Sequence, residues 1–240
     1  MRTLTLFLAC LVMLTACRFN RNKRIKGNGN VVTETRDVSG AERIRLKGIM
    51  DVEITQGENT AVRVIADENI LPYIVTKNNG DVLEINMKPH INLIGSSSIT
   101  VQITTRRLNE LMLTGSGNIL GKNKFTGSDK MRFSVSGIGD IKMDLNAPEV
   151  NADVSGSGSI TLSGETRDAR IKISGIGNCY AEDLKSENAV VKIAGSGDVK
   201  IFADRNLDVS IAGLGSVFYR GEPIIKQKIS GSGEIKRLPE

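Results

Sequence analysis

Three sets of side chains in this 240-residue chain could do chemistry by their type and spacing. Cys17 is a thiol at the end of an apolar N-terminal run. Asp140, Asp198 and Glu234 recur at one position of a glycine-rich phrase, where paired acids could move protons or hold a cation. His90 is the only histidine, so any Ser-His-Asp or Cys-His arrangement must be built on it. No nucleophile motif lies near His90, which reads as an exposed loop residue beside Pro89. The three acids read as two coils of the repeat apart, roughly 10 Å, beyond the separation at which paired carboxylates cooperate. A hard cation wants six to eight oxygens, and the acid column gives way to Ser159 and Ser216. The Gly-x-Gly phrases match a nucleotide-binding fingerprint only superficially, because that site needs a helix starting at the glycines and here a strand follows. The expectation is a protein that is not an enzyme, with no catalytic residue, no metal site and no cofactor.

Cys17 points to a different chemistry. The chain opens with Met1 and Arg2, runs through an apolar stretch from Leu4 to Leu14 and closes on Leu14-Thr15-Ala16-Cys17, so charge, apolar core and small residues come in export-signal order. The stretch is about eleven residues, roughly 16 Å as a helix and about half of what a bilayer crossing needs. Leu-Thr-Ala-Cys resembles the bacterial lipobox. That resemblance implies that residues 1–16 are a signal peptide removed before Cys17, that a diacylglycerol is joined to the thiol, and that the new amine is acylated. Two or three acyl chains give stable anchoring where one does not. Arg18, Arg21, Lys23, Arg24 and Lys26 follow without an acid among them, so residues 17–26 are expected to be a lipidated basic tether. Basic residues beside anionic headgroups gain about 1 kcal/mol each; a solvated spacer is the equal alternative.

The net charge of +5 belongs to this N-terminal segment. From Gly27 onward 26 basic residues face 27 acidic ones, which removes the electrostatic footprint of a nucleic-acid partner. Cys10 leaves with the leader and Cys17 is acylated, so Cys179 has no partner within the chain and stability must come from packing. With 4% aromatic residues and no tryptophan, the core is expected to be thin, repetitive and aliphatic.

One phrase recurs seven times: Gly115-Ser116-Gly117-Asn118-Ile119, Gly137-Ile138-Gly139-Asp140-Ile141, Gly156-Ser157-Gly158-Ser159-Ile160, Gly175-Ile176-Gly177-Asn178-Cys179, Gly195-Ser196-Gly197-Asp198-Val199, Gly213-Leu214-Gly215-Ser216-Val217 and Gly231-Ser232-Gly233-Glu234-Ile235. The first glycines are 22, 19, 19, 20, 18 and 18 residues apart, a period that suits one coil of a β-solenoid. Two positions before the first glycine and four after it every residue is apolar, with Cys179 as the one sulfur. Four before it stand Leu111, Phe133, Ala152, Ile171, Val191 and Val209, broken only by Gln227, and charged residues such as Asp153, Lys172 and Lys192 fall between. This is the period of a strand. Each coil therefore reads as strand, Gly-x-Gly corner, strand and a polar turn such as Asn146–Glu149 or Gly164–Arg167. The glycines are expected to supply positive φ and close stacking, and Asn, Asp or Ser after them to bond local backbone. Between the glycines Ser116, Ile138, Ser157, Ile176, Ser196, Leu214 and Ser232 alternate without fail, and they are expected to point partly inward, large over small. Residues 27–105 carry fainter versions at Gly27–Val31, Gly48–Val52 and Gly95–Ile99, and read as a more irregular β region continuous with the solenoid. Asp67–Thr76 is expected to be a short helix or a loop.

At this point the sequence resembles the head GIN domain family, described as auto-transporter adhesins and found in many Bacteroidetes lipoproteins. The resemblance rests on Val38-Ser39-Gly40, on Gly48 to Ile54, on Asn79 to Ile85 and above all on the serial Ser-Gly-x-Gly-Asp/Asn-Ile phrases, over residues 30 to 240. It implies an all-β fold, a right-handed parallel β-helix over residues 27–240, and an envelope-attached adhesive or interaction module with a protein or glycan ligand; it brings no catalytic residues. A structural periplasmic scaffold is the alternative, and a polysaccharide-active β-helix enzyme a more distant one. Arg18-Phe19-Asn20-Arg21 stands where surface-displayed relatives carry acidic residues, which favours an outer-membrane lipoprotein facing the periplasm. Tyr180 and Phe218 share the outward column five residues after the first glycine and are expected to form a small surface patch.

Overall fold

In the computed structural model, which describes residues 23–239, the repeats stack residue over residue as a parallel β-solenoid. On one wall Glu149–Val154 pairs in parallel with Asp168–Ile173, then come Asn188–Ile193, Asn206–Ile211 and Ile224–Ile229. On the other, Ile141, Ile160, Cys179, Val199, Val217 and Ile235 follow one another in register. The apolar columns read from the period are the core: Leu113, Val135, Val154, Ile173, Ile193 and Ile211 are buried on one wall and Ile119, Ile141, Ile160, Cys179, Val199 and Val217 on the other. Phe125 and Phe133 supply bulk and are fully enclosed. Gln227 breaks its column in the last coil, where the stack ends and Ile229 is 40% exposed. A polar inward residue, with Lys226 and Lys228 on the outward side of the same strand, is a common protection of an uncovered edge.

Two expectations about the coil need correction. Asn146–Glu149 and Gly164–Arg167 are not turns, because the strands Ile141–Val154, Ile160–Ile173 and Cys179–Ile193 run unbroken through this side. The ribbon bends there because its inward residues are small. Ala147, Thr166 and Ser186 line up and are buried. Thr166 Oγ1 donates to the Pro148 carbonyl at 3.2 Å, and Ser186 Oγ to that of Phe202. Nor is positive φ the common reason for the paired glycines, since Gly115 alone among the fourteen has it. The requirement is steric. A Cβ on Gly137, Gly156, Gly175, Gly195, Gly213 or Gly231 would fall closer than 3.0 Å to the carbonyl oxygen of the equivalent glycine in the preceding coil.

The N-terminal half is irregular because chain order and stacking order differ. Arg43–Gly48 pairs with Glu110–Gly115 and Val52 stands beside Ile119, so the Gly48 phrase forms a true coil. Between them the chain makes an excursion. Ala61–Asp67 runs antiparallel to Thr100–Thr105 and to Val31–Arg36, Ile74–Asn79 runs antiparallel to Val82–Met87, and Val82–Met87 and Thr100–Thr105 lie under the first coil. The Gly27 phrase therefore leads into an antiparallel strand. The Gly95 phrase is out of step, since Val101 rather than Ile99 stands beside Val52. Leu71–Tyr73 is a single 3-10 turn. Lys23–Lys26, expected to be the end of the tether, forms a strand beside Ile91–Ile94 with Ile25 buried, so these four residues are part of the folded body. The expected signal peptide, Cys17 and the rest of the tether lie outside the described residues.

Gly156→Ala is expected to cost about 3 kcal/mol, because the new Cβ must push two coils apart, and Ser157→Ala within about 0.5 kcal/mol; chemical denaturation checks both. Cys179 is free and fully enclosed, and burial, with Glu182 adding to it, pushes its thiol up to about 12. In the chain from residue 17 onward with Cys17→Ser, it should therefore stay unmodified by thiol reagents at pH 8 until the protein is unfolded.

Candidate interaction surface

The period of two set by the strands continues through the Gly-x-Gly corner without a break. The second glycines Gly117, Gly139, Gly158, Gly177, Gly197 and Gly215 are buried, which leaves the residue between each pair outside. This corrects the expected direction of that column. Ile138, Ile176 and Leu214 are 67%, 65% and 66% exposed, with the exposed Ser116, Ser157, Ser196 and Ser232 between them. The pairing of Gly48 with Gly115 adds Ile49, 59% exposed, beside Ser116. The result is a straight ladder of eight rungs, Ile49, Ser116, Ile138, Ser157, Ile176, Ser196, Leu214 and Ser232, about 34 Å long at one coil per rung. Gly48–Val52 reads from the sequence as a fainter copy of the phrase, and extending the alternation into it reaches Ile49.

On one side of the ladder stands the column of short polar residues that follows the glycines. Its side chains clamp coil to coil. Asp51 Oδ1 accepts the Asn118 backbone N–H at 2.9 Å, Asn118 Oδ1 that of Asp140 at 3.1 Å, and Asp140 Oδ1 that of Ser159 at 2.8 Å. Farther along, Asn178 Oδ1 accepts from Asp198 and Asp198 Oδ1 from Ser216, both at 2.8 Å. These are bonds to the next coil rather than to the local turn. Asp140 and Asp198 are three coils apart, not two, and no two acids of this column occupy adjacent coils. Among the described residues no three His, Cys, Asp or Glu converge. His90 is exposed with φ 62°, and its carbonyl accepts the Lys23 N–H at 2.7 Å. On the ladder's other side the column is small from Thr114 and Ser136 to Ala194 and Ala212, with the exposed Lys47 ahead of them in the first coil.

Tyr180 and Phe218 do lie on one outward column, but Lys200 stands between them in the pairing. Its Nζ sits 5.5 Å from the Tyr180 ring centroid and 3.8 Å from Glu182. The pair is thus a half-buried Tyr–Lys–Phe stack rather than an open aromatic platform. Counting five residues after Gly195 would have found the lysine.

A parallel stack of coils in which Asp51, Asp140 and Asp198 accept backbone amides of the next coil, and in which four exposed aliphatic side chains share one line, defines the class of β-solenoids. The chain belongs to the family described as "Putative auto-transporter adhesin, head GIN domain", whose model matches residues 42–223. Among solved structures it is similar to a putative adhesin of Bacteroides fragilis, with TM-score 0.85, 23% identity, and coverage of 89% of this chain and 100% of that one. A putative adhesin of Parabacteroides distasonis matches with TM-score 0.75 at 23% identity, over 90% of this chain and 100% of the other. A putative lipid binding protein of the same species matches with TM-score 0.70 at 27% identity, over the same shares. No curated protein matches.

Asp198→Ala should cost about 1 kcal/mol by leaving the Ser216 N–H without its partner, while Asp198→Asn keeps the acceptor and stays near the parent. Thermal melts separate the two, since 1 kcal/mol shifts the midpoint by about 2–4 °C at this chain length.

Proposed function

We propose that this protein is an envelope lipoprotein whose solenoid holds a repetitive face toward a protein or glycan partner, without catalysis. Residues 1–16 export it, Cys17 carries the acyl chains, and the basic residues that follow keep it at the periplasmic side of the outer membrane. The observation that carries the binding reading is the ladder, since exposed apolar groups gathered on one line of a rigid scaffold mark an interaction surface. The pairing of Lys23–Lys26 with Ile91–Ile94 ties the chain to the solenoid a short distance after Cys17, which supports the anchored reading. Six peptide steps from Cys17 reach at most about 20 Å, so the antiparallel end of the solenoid would be held close to the membrane. The names of its relatives as adhesins, and of one as a lipid binding protein, agree with a role in contact rather than turnover.

Cys17→Ser is expected to abolish incorporation of a labelled fatty acid and to release the protein from the membrane fraction. Protease added to intact cells should leave the parent protein whole and degrade it only after lysis. Acyl label retained by the Cys17→Ser variant would remove the anchor reading. Loss from intact cells would place the solenoid outside and make surface adhesion its role.

A further inference from the structure

Whatever covers the ladder has to match its period. Its large side chains recur every second coil, about 9.6 Å. Along an extended peptide the side chains of one face repeat at about 6.8 Å, and one heptad of a helix advances about 10.5 Å. Neither keeps step over four repeats. A lipid surface has no period and gains nothing from the serines. A second solenoid of the same sequence has the same rise by construction.

We propose that Ile49, Ile138, Ile176 and Leu214 form a self-association face on which a second copy of this chain packs antiparallel, each aliphatic side chain over a serine of the other copy. The number of rungs decides the geometry. Large residues occupy odd rungs and serines even ones in a ladder of eight. A two-fold axis crossing the ladder between Ser157 and Ile176 pairs the first rung with the eighth, the second with the seventh, and so on. Ile49 then meets Ser232 of the second copy, Ser116 meets Leu214, Ile138 meets Ser196 and Ser157 meets Ile176. Large meets small everywhere, and the contact closes as an isologous pair. A parallel pair in register, or an antiparallel pair slipped by one coil, sets large on large. A parallel pair offset by one coil matches large with small, but it leaves an unpaired rung at each end and does not close as an isologous pair.

The flanking columns set the strength of the contact. The small column of Ser136, Ser155, Ser174, Ala194 and Ala212 lets the two corners approach. The eight aliphatic side chains and their small neighbours bury on the order of 1,000 Å², the lower bound for a specific pair, so association is weak unless copies are concentrated on a common surface. The same axis turns the acidic column on itself, Asp140 toward Asp198 and Asp51 toward Glu234 of the second copy. Salt should therefore strengthen the pair rather than weaken it.

The test uses the chain from residue 17 onward with Cys17→Ser, followed by analytical ultracentrifugation over a wide concentration range, and it does not depend on the anchor. A concentration-dependent dimer is expected. Ile138→Ser should weaken it, and Ser157→Ile should weaken it by on the order of tenfold although it adds apolar surface. Exchanging the two central rungs, Ser157→Ile with Ile176→Ser, should restore it, because large again faces small. Both residue types already occupy this outward column, and circular dichroism melts confirm that the variants fold. For orientation, an Ile49→Cys protein mixed with a Ser232→Cys protein should cross-link on oxidation, while neither does so alone. A monomer at every concentration, an undiminished dimer of Ser157→Ile, or cross-linking of Ile49→Cys to itself overturns the proposal.

Discussion

The close approach of successive backbones at the Gly-x-Gly corner governs this structure. There the equivalent residues of neighbouring coils face inward with no room for a Cβ, because the carbonyl of the coil beneath occupies that space. Glycine is required by contact more than by backbone angle, and everything nearby inherits the geometry. With the glycines inside, the residue between them is outside, and the Asp or Asn that follows lies close enough to accept an amide from the next coil. The one exception helps to define the rule. Met50 replaces the second glycine in the first coil and is fully buried. The neighbour on its other side is the segment around Ile99, which follows no glycine phrase in register and leaves space for a side chain.

Because each coil touches only its neighbours, stability is distributed along the stack rather than held in one centre. The aliphatic columns exclude water in every coil but the last, and cross-coil pairs on the outer walls add modest reinforcement. Glu149 sits between Lys130, at 2.8 Å, and Arg170, and these contacts, the Lys130 bond first, hold its carboxyl below the usual range. Arg43 holds Asp81 in the same direction through a two-bond fork at the N-terminal end. These pairs are solvent-exposed, so they tune register more than they secure the fold. The two ends differ. Antiparallel strands close the N-terminal end, whereas the last coil leaves Ile224 and Ile229 in solvent with only charged neighbours for protection.

The repeating half of the fold was legible from the sequence because its period, its inward columns and its glycines recur within about twenty residues. The direction of the residue between the glycines follows from the same period, because the count of two runs through the corner without a break. The alternation of serine with isoleucine or leucine suits interior packing as well as surface display, and only the burial of the second glycines separates the two. The excursion from Ala61 to Thr105 was out of reach, because nothing local announces that Arg43–Gly48 will pair with Glu110–Gly115 across the intervening strands. The polar stretches at Asn146–Glu149 and Gly164–Arg167 look like turns, yet small inward residues let the strand bend without breaking. The Tyr–Lys–Phe stack needed only the same column count that located its two rings.

A solenoid without a reaction centre can be selective only through the spacing of what it displays, and that spacing comes in whole coils. An isoleucine on every rung would make an apolar stripe that accepts any apolar surface at any register. Placing serine on alternate rungs halves the apolar area, and it also makes a displacement of one coil unfavourable, because large then meets large. The alternation has no role inside the molecule, where these side chains are exposed and adjacent coils are already fixed by the glycines and the carboxylate clamps. A pattern with no intramolecular use that persists over eight coils is therefore best understood as an intermolecular one, and its period specifies a partner built with the same rise.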